Sequence, residues 1–253
     1  MPVIEKYDPG MFCWIELATN DAAAAKSFYK SVFGWTINDM PIPDGSVYTM
    51  LQVDGHDLGA LYENKQHPPA WNSYVNVTNV DEATQRAQEN GANVIAPPFD
   101  VMDVGRMSII ADPQGASLCL WQPGKSIGAT IRGDANTLCW NELMTTDIEG
   151  ARTFYKTLFG WNLKVSPEYT EISVGSTGIG GMMQLTPEMQ GAPTAWTPYI
   201  CVSDADATIE KIKSNGGRIY MGPHEIPNVG RFAVCADPQG AMFNIIHPSA
   251  MTA

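Results

Sequence analysis

The reading turns on Trp14-Ile15-Glu16-Leu17-Ala18-Thr19-Asn20-Asp21, continued by Phe28-Tyr29-Lys30 and Phe33-Gly34-Trp35, because the chain writes this stretch twice. It returns as Trp140-Asn141-Glu142-Leu143-Met144-Thr145-Thr146-Asp147, then Phe154-Tyr155-Lys156 and Phe159-Gly160-Trp161, at one constant offset. Farther on, Val104-Gly105-Arg106 and Asp112-Pro113-Gln114-Gly115-Ala116 recur as Val229-Gly230-Arg231 and Asp237-Pro238-Gln239-Gly240-Ala241, the offset now shorter by one residue. A period of about 125 residues is too long for a solenoid unit and fits two fused copies of a complete domain. The expected division is a first domain over 1–124, a linker over 125–136 and a second domain over 137–253.

Working outward, residues 12–18 are apolar and short, bounded by Pro9-Gly10 and by Thr19-Asn20-Asp21, which suits a strand running into a capped helix. Ala25, Phe28, Tyr29, Val32 and Phe33 then fall on one face of an amphipathic helix that ends at Gly34. Ala151, Phe154, Tyr155, Leu158 and Phe159 repeat that face in the second copy. Short strands are predicted over 47–53 and 58–63 around the turn Asp54-Gly55. After the loop at Pro68-Pro69 come a strand over 73–77, a helix over 81–90 stopped by Gly91, and strands over 93–96, 107–111 and 117–121. The last two strands are joined by the turn at Asp112-Pro113-Gln114-Gly115.

Composition bounds the partners. A chain of 253 residues with 44% hydrophobic and 17% charged residues has enough apolar surface for two cores and no signature of disorder. No apolar run approaches the roughly 18 to 20 residues of a membrane span, and the N-terminus carries no signal-like pattern. A net charge of −12 without any Lys/Arg cluster counts against binding to phosphate backbones, whose affinity depends on counterion release to a basic surface. Cys13, Cys119, Cys139, Cys201 and Cys235 are odd in number and lack CxxC spacing, so they read as reduced thiols in a cytoplasmic protein.

Paired strand-helix-strand-strand-strand units, the Phe-Tyr pair before Phe-Gly-Trp, and Asp-Pro-Gln-Gly before the last strand of each half resemble the vicinal oxygen chelate superfamily. That group includes glyoxalase I, extradiol dioxygenases, fosfomycin-resistance enzymes and bleomycin-resistance proteins. The resemblance covers nearly the whole chain and implies an α+β fold. It predicts tandem paired βαβββ modules forming two open barrel-like glyoxalase/bleomycin-resistance domains, each with a ligand-holding concave face. It does not imply one reaction.

Metal-using members of that superfamily place His, Gln or Glu at three inward positions, which by this resemblance fall here at Trp14, about Asn72 and Cys119, and at Trp140, Thr197 and Asn244. Tryptophan offers a divalent ion no donor, and the four histidines, His56, His67, His224 and His247, form no ligand-like pair. No metal and no other cofactor is therefore expected.

Several residues are candidates for a site, each with a plainer alternative. Trp14 and Trp140 stand where relatives carry ligands; they form a stacking wall for a planar ligand or simply fill the core. Glu16 and Glu142 lie two residues along the same strands and share that face. They are either acid–base carboxylates with pKa values raised by burial or ion-pair partners of Arg106 and Arg231. Arg106 and Arg231 themselves clamp a ligand carboxylate or hold structure. Trp71, Trp196, Tyr74 and Tyr199 rim a pocket or pack between units. Cys119 is the one inward thiol, a nucleophile or an inert buried group. Gly178, Gly180 and Gly181 lack the strand-then-helix context of a phosphate loop and read as a strand bend.

Three functional readings follow. The first is a metal-free protein holding a small, largely apolar or aromatic molecule, as the resemblance to the bleomycin-resistance branch implies. The second is a glyoxalase-, lyase- or dioxygenase-type enzyme using an atypical metal set or the two glutamates, and the third is a scaffold with filled cavities. The expected partner is a small molecule, not nucleic acid or membrane, with a homodimer left open. Substitutions between the copies, such as Cys119 against Asn244 and Trp121 against Ile246, imply that one cavity binds better than the other.

Overall fold

The computed structural model describes residues 3–42, 45–189 and 191–249. Strand β1 (Phe12–Thr19) leads into helix α1 (Ala22–Phe33). The Asp21 side chain accepts from the Ala24 N–H, satisfying one of the donors a helix start leaves free. Gly34 ends the helix at φ 74°, a left-handed conformation that costs glycine no Cβ clash. Asp147 and Gly160, at φ 70°, do the same for the second copy.

Strands β2 (Thr36–Pro41), β3 (Val47–Val53) and β4 (His56–Glu63) complete the first module. The next comprises β5 (Ala70–Asn76), α2 (Val80–Glu89), β6 (Asn93–Val101), β7 (Gly105–Ala111) and β8 (Ser117–Pro123). The second half repeats both modules. One holds β9 (Leu138–Thr145), α3 (Ile148–Phe159), β10 (Asn162–Val165), β11 (Thr170–Val174) and β12 (Thr177–Gln184); the other holds β13 (Ala195–Cys201), α4 (Ala205–Ser214), β14 (Arg218–Ile226), β15 (Gly230–Ala236) and β16 (Met242–Pro248).

Each half forms one open eight-stranded sheet, in the order β2-β3-β4-β1-β5-β8-β7-β6 and the matching β10-β11-β12-β9-β13-β16-β15-β14. The modules join where β1 meets β5 antiparallel, and β9 meets β13 likewise. Two expectations change. Strand β2 lacks readable alternation because it is a mostly exposed edge, and β6 runs through Pro97-Pro98 because an edge strand with bulges tolerates a missing donor.

The cores are shared between the halves. Phe28, Tyr29, Val32 and Phe33 of α1 are buried together with Ile209 and Ile212 of α4 and Phe243 and Ile245 of β16. Phe154, Tyr155 and Leu158 of α3 are buried with Val80, Ala83 and Ala87 of α2 and Leu118 and Leu120 of β8. The repeated motifs form the joints. The Tyr29 hydroxyl donates to Asp237 Oδ2 at 3.0 Å and accepts from Trp71 Nε1 at 2.9 Å. Tyr155 does the same with Asp112 Oδ2 at 2.9 Å and Trp196 Nε1 at 2.8 Å. Meanwhile Oδ1 of each aspartate closes its own Asp-Pro-Gln-Gly turn, accepting from Ala116 N or Ala241 N.

The segment between the sheets is held along its length. Ala129 N donates to Cys13 O, Thr130 N to Asp57 O and Asn136 N to Cys201 O.

Candidate functional site

Alternation along β1 sends Ile15 and Leu17 into the helix-covered core and leaves Trp14 and Glu16 on the opposite, concave face. The register places Tyr74 and Asn72 of β5 opposite Trp14 and Glu16, with Ala60 of β4 beside Glu16. Tyr48 reaches over from β3. Its hydroxyl donates to Glu16 Oε2 at 2.6 Å, while the Tyr74 hydroxyl donates to Oε1 at 2.9 Å. Trp14 Nε1 donates in turn to the Tyr48 oxygen at 3.3 Å.

The second half builds the same cluster. Tyr169 and Tyr199 donate to Glu142 Oε2 and Oε1, each at 2.9 Å, and Trp140 Nε1 donates to the Tyr169 oxygen at 2.9 Å. Tyr169 lies directly over Gly181, the register partner of Glu142, where a Cβ would come within 2.1 Å of its hydroxyl oxygen, whereas Tyr48 makes the same bond beside Ala60. Gly180 likewise admits the Asn141 carbonyl, and the register shifts opposite Gly178 and Gly180, so the glycine run is a close-packed strand with a bulge.

Burial pushes the Glu16 and Glu142 carboxyls above the usual carboxylate range, against the opposing pull of the tyrosine hydroxyls. Burial and the neighbouring Glu16 carboxylate push Tyr48 and Tyr74 upward in turn. The tyrosines thus stay protonated and act as donors.

The arginine alternative is corrected. Arg106 is bidentate to Asp81, with both contacts at 2.9 Å, and also meets Asp100, all on the exposed surface; Arg231 is bidentate to Asp206. Neither is paired with a site glutamate. Trp71 and Trp196 do not rim the concave face either: they are buried in the inter-half core on Tyr29 and Tyr155. Cys119 does face inward, beside Tyr74, but it is 2% exposed and burial pushes its thiol up, so it is held protonated. Among the described residues none of the five cysteines is in a disulfide.

Tyr48 and Tyr169 were missed by the sequence reading. Their signal is the repeated Tyr48-Thr49 and Tyr169-Thr170, hidden because the hairpin before it is shorter in the second half and breaks the constant offset. The same register settles that Met50, opposite Ala60, corresponds to Glu171, opposite Gly181.

The superfamily's metal was tested against these donors. Trp14 and Trp140, which offer a cation no donor, occupy the first ligand position, and beside each stands a single carboxylate. Among the described residues no group of three or more His, Cys, Asp or Glu side chains converges on a point a cation could take. These residues do not fit a divalent ion. A surface depression of about 460 Å³ bounded by Gln114, Asp147, Glu149 and Gly150 lies at the start of α3, away from both concave faces. Among the described residues no helix is long and apolar enough to cross a membrane.

Two open sheets of paired modules with a polar cluster on each concave face define a class. The chain belongs to the Glyoxalase/Bleomycin resistance protein/Dioxygenase superfamily, whose family model matches residues 12–120 and again 137–245. It is 40% identical over 260 residues to the candidate glyoxylase CFP32 of Mycobacterium bovis and Mycobacterium tuberculosis, covering 98% of this chain and 99% of that one. It is 31% identical to the anthracycline biosynthesis protein DnrV of Streptomyces peucetius, covering 95% of this chain and 94% of that one. In fold it resembles the Mn(II)-bound glyoxalase from Novosphingobium aromaticivorans, with a TM-score of 0.68 at 13% identity over 94% of this chain and 82% of that one. The dioxygenase LapB from Pseudomonas sp. KL28 has a TM-score of 0.65 at 12% identity over 97% of this chain and 96% of that one.

Proposed function

We propose that this protein binds a small, largely apolar or aromatic molecule on a concave face without a catalytic metal. The observation that carries the reading is the glutamate held between two tyrosine hydroxyls beside a tryptophan, built identically in both halves. Aromatic walls supply apolar area for a flat molecule, and one carboxyl supplies a polar anchor. Relatives named for glyoxylase chemistry and for anthracycline biosynthesis are consistent with a small organic ligand. Five cysteines outside any disulfide among the described residues agree with a reducing, cytoplasmic setting.

A second reading has one specific observation behind it. Burial holds both carboxyls above the usual carboxylate range, which favours a retained proton, so Glu16 or Glu142 would act as acid or base on the bound molecule.

The test is a thermal-shift screen of small aromatic molecules against the metal-free protein. A ligand at about a hundred times its Kd stabilises the native state by about 2.7 kcal/mol. At least one compound is expected to raise the midpoint, with the rise lost in the double variant Glu16→Gln, Glu142→Gln. Binding that appears only after a divalent ion is added would refute the metal-free reading.

A further inference from the structure

The two concave faces share the glutamate with its two tyrosines and its tryptophan, and differ in the residues beyond them. In the first half the face closes on itself: Trp14, Tyr74, Cys119, Trp121 and Met107 are buried as one cluster, and Tyr7 and Ala129 from outside the sheet are buried with them. In the second half Trp140 and Ile246 stay partly exposed, and neither they nor Tyr199 belong to a buried cluster among the described residues.

The register explains the difference. Trp121 corresponds to Ile246, Ala60 to Gly181 and Tyr62 to Met183, each a reduction in volume; Met107 against Phe232 is the one enlargement among these pairs. The third-position residue also changes character. Cys119 beside Tyr74 becomes Asn244 beside Tyr199. Phe243 and Ile245 on either side of it are in the helix-covered core, so alternation turns Asn244 to the concave face. Asn244 is 2% exposed, and its Oδ1 has no hydrogen-bond partner. A buried amide oxygen left without a donor is costly, so it marks a place where a donor from elsewhere is accommodated.

We infer that the second half carries the ligand site, and that the ligand is a flat, mostly apolar molecule presenting one O–H or N–H donor to Asn244 Oδ1, while the first half's face is closed. This rests on the small-molecule reading above and narrows it to one half and one ligand chemistry. Trp140, Tyr169 and Tyr199 supply the aromatic surround, and Tyr199, the register partner of Asn244, donates its hydroxyl to Glu142. Glutamate alone does not make the choice, since both halves have it.

The test uses the whole chain and three probes of one shape: naphthol, naphthylamine and the donor-free methoxynaphthalene, each titrated by calorimetry into wild type, Asn244→Leu and Cys119→Ser. Naphthol or naphthylamine is expected to bind wild type about tenfold more tightly than methoxynaphthalene, the worth of one hydrogen bond to a buried acceptor. In Asn244→Leu that preference is expected to vanish, while Cys119→Ser retains it. Whichever of the two donors binds better tells a hydroxyl from an amine. Urea unfolding of Asn244→Leu guards against misfolding: removing a partnerless polar atom should leave the midpoint at or above wild type, whereas a purely structural asparagine would lower it.

A donor preference that survives Asn244→Leu but is lost in Cys119→Ser overturns the assignment to the second half and leaves the small-molecule reading standing. Equal binding of all three probes to wild type overturns the donor chemistry. Failure of every probe to bind overturns the inference, and a blank screen of the wider library then overturns the reading beneath it.

Discussion

Glu16 and Glu142 face tyrosines and not cations, and that changes what their substitution should do. A carboxyl with its folded-state pKa raised binds a proton more tightly in the native chain than in the unfolded one. Its stabilising contribution is complete below the unfolded pKa, about 4.3, and is lost as pH rises through the folded value. Both glutamates are shifted this way, with burial the leading cause. Glutamine mimics the neutral form at every pH. Glu16→Gln should therefore be at least as stable as wild type at neutral pH, with the advantage shrinking as pH falls through the raised folded value and gone below the unfolded one. Urea midpoints at a series of pH values read this directly, and a neutral-pH loss of more than about 1 kcal/mol would show that the ionised form is a structural partner after all. The shared face of Trp14 and Glu16 was legible in the sequence, since alternation along a strand is local. The partners were not. Tyr48 comes from a strand beyond β4, and Arg106 finds Asp81 across a helix start, neither of which any spacing announces.

At the scale of elements, β12 and β4 show how a single methyl sets a site. Gly181 and Ala60 hold the same register place beside the glutamate, but only glycine leaves room for the Tyr169 hydroxyl as it now lies. Gly181→Ala should push Tyr169 off Glu142 and Trp140 while leaving the fold intact. The expected result is a destabilisation of about 1 to 3 kcal/mol with a change in tryptophan fluorescence, because one tyrosine donor to a partly buried carboxylate is lost. Unchanged stability and fluorescence would mean that the strand shifts to absorb the methyl. Helix starts and stops were readable because Asp21, Asp147, Gly34 and Gly160 act through their own backbone neighbours. Edge strands were read only in part: β2 has little buried face to impose a pattern, and β6 was legible over 93–96 but not through the two prolines that only an edge permits.

At the scale of the whole molecule, each large core is built from both halves, with α1 against α4 and α3 against α2. Neither half buries its helix faces alone. Unfolding is therefore expected as one transition, with far-ultraviolet dichroism and tryptophan fluorescence coincident in urea. The separate pieces 1–124 and 137–253 should be unfolded singly and regain structure when mixed. Two separated transitions, or a folded isolated half, would show that the shared cores are secondary to each sheet's own stability.

The sequence by itself determined the duplication, the order of most elements, the helix caps and the face on which Trp14, Glu16, Trp140 and Glu142 stand. These follow from periodicity and capping, which act within a few residues. Only the tertiary structure decided which copy of each repeated motif meets which: Tyr29 joins Asp237 and Tyr155 joins Asp112, each across the halves. The two copies are so alike that pairing within a half or between halves is written the same way in sequence. The choice lies in which arrangement buries both helix faces at once, and that burial belongs to the assembled chain.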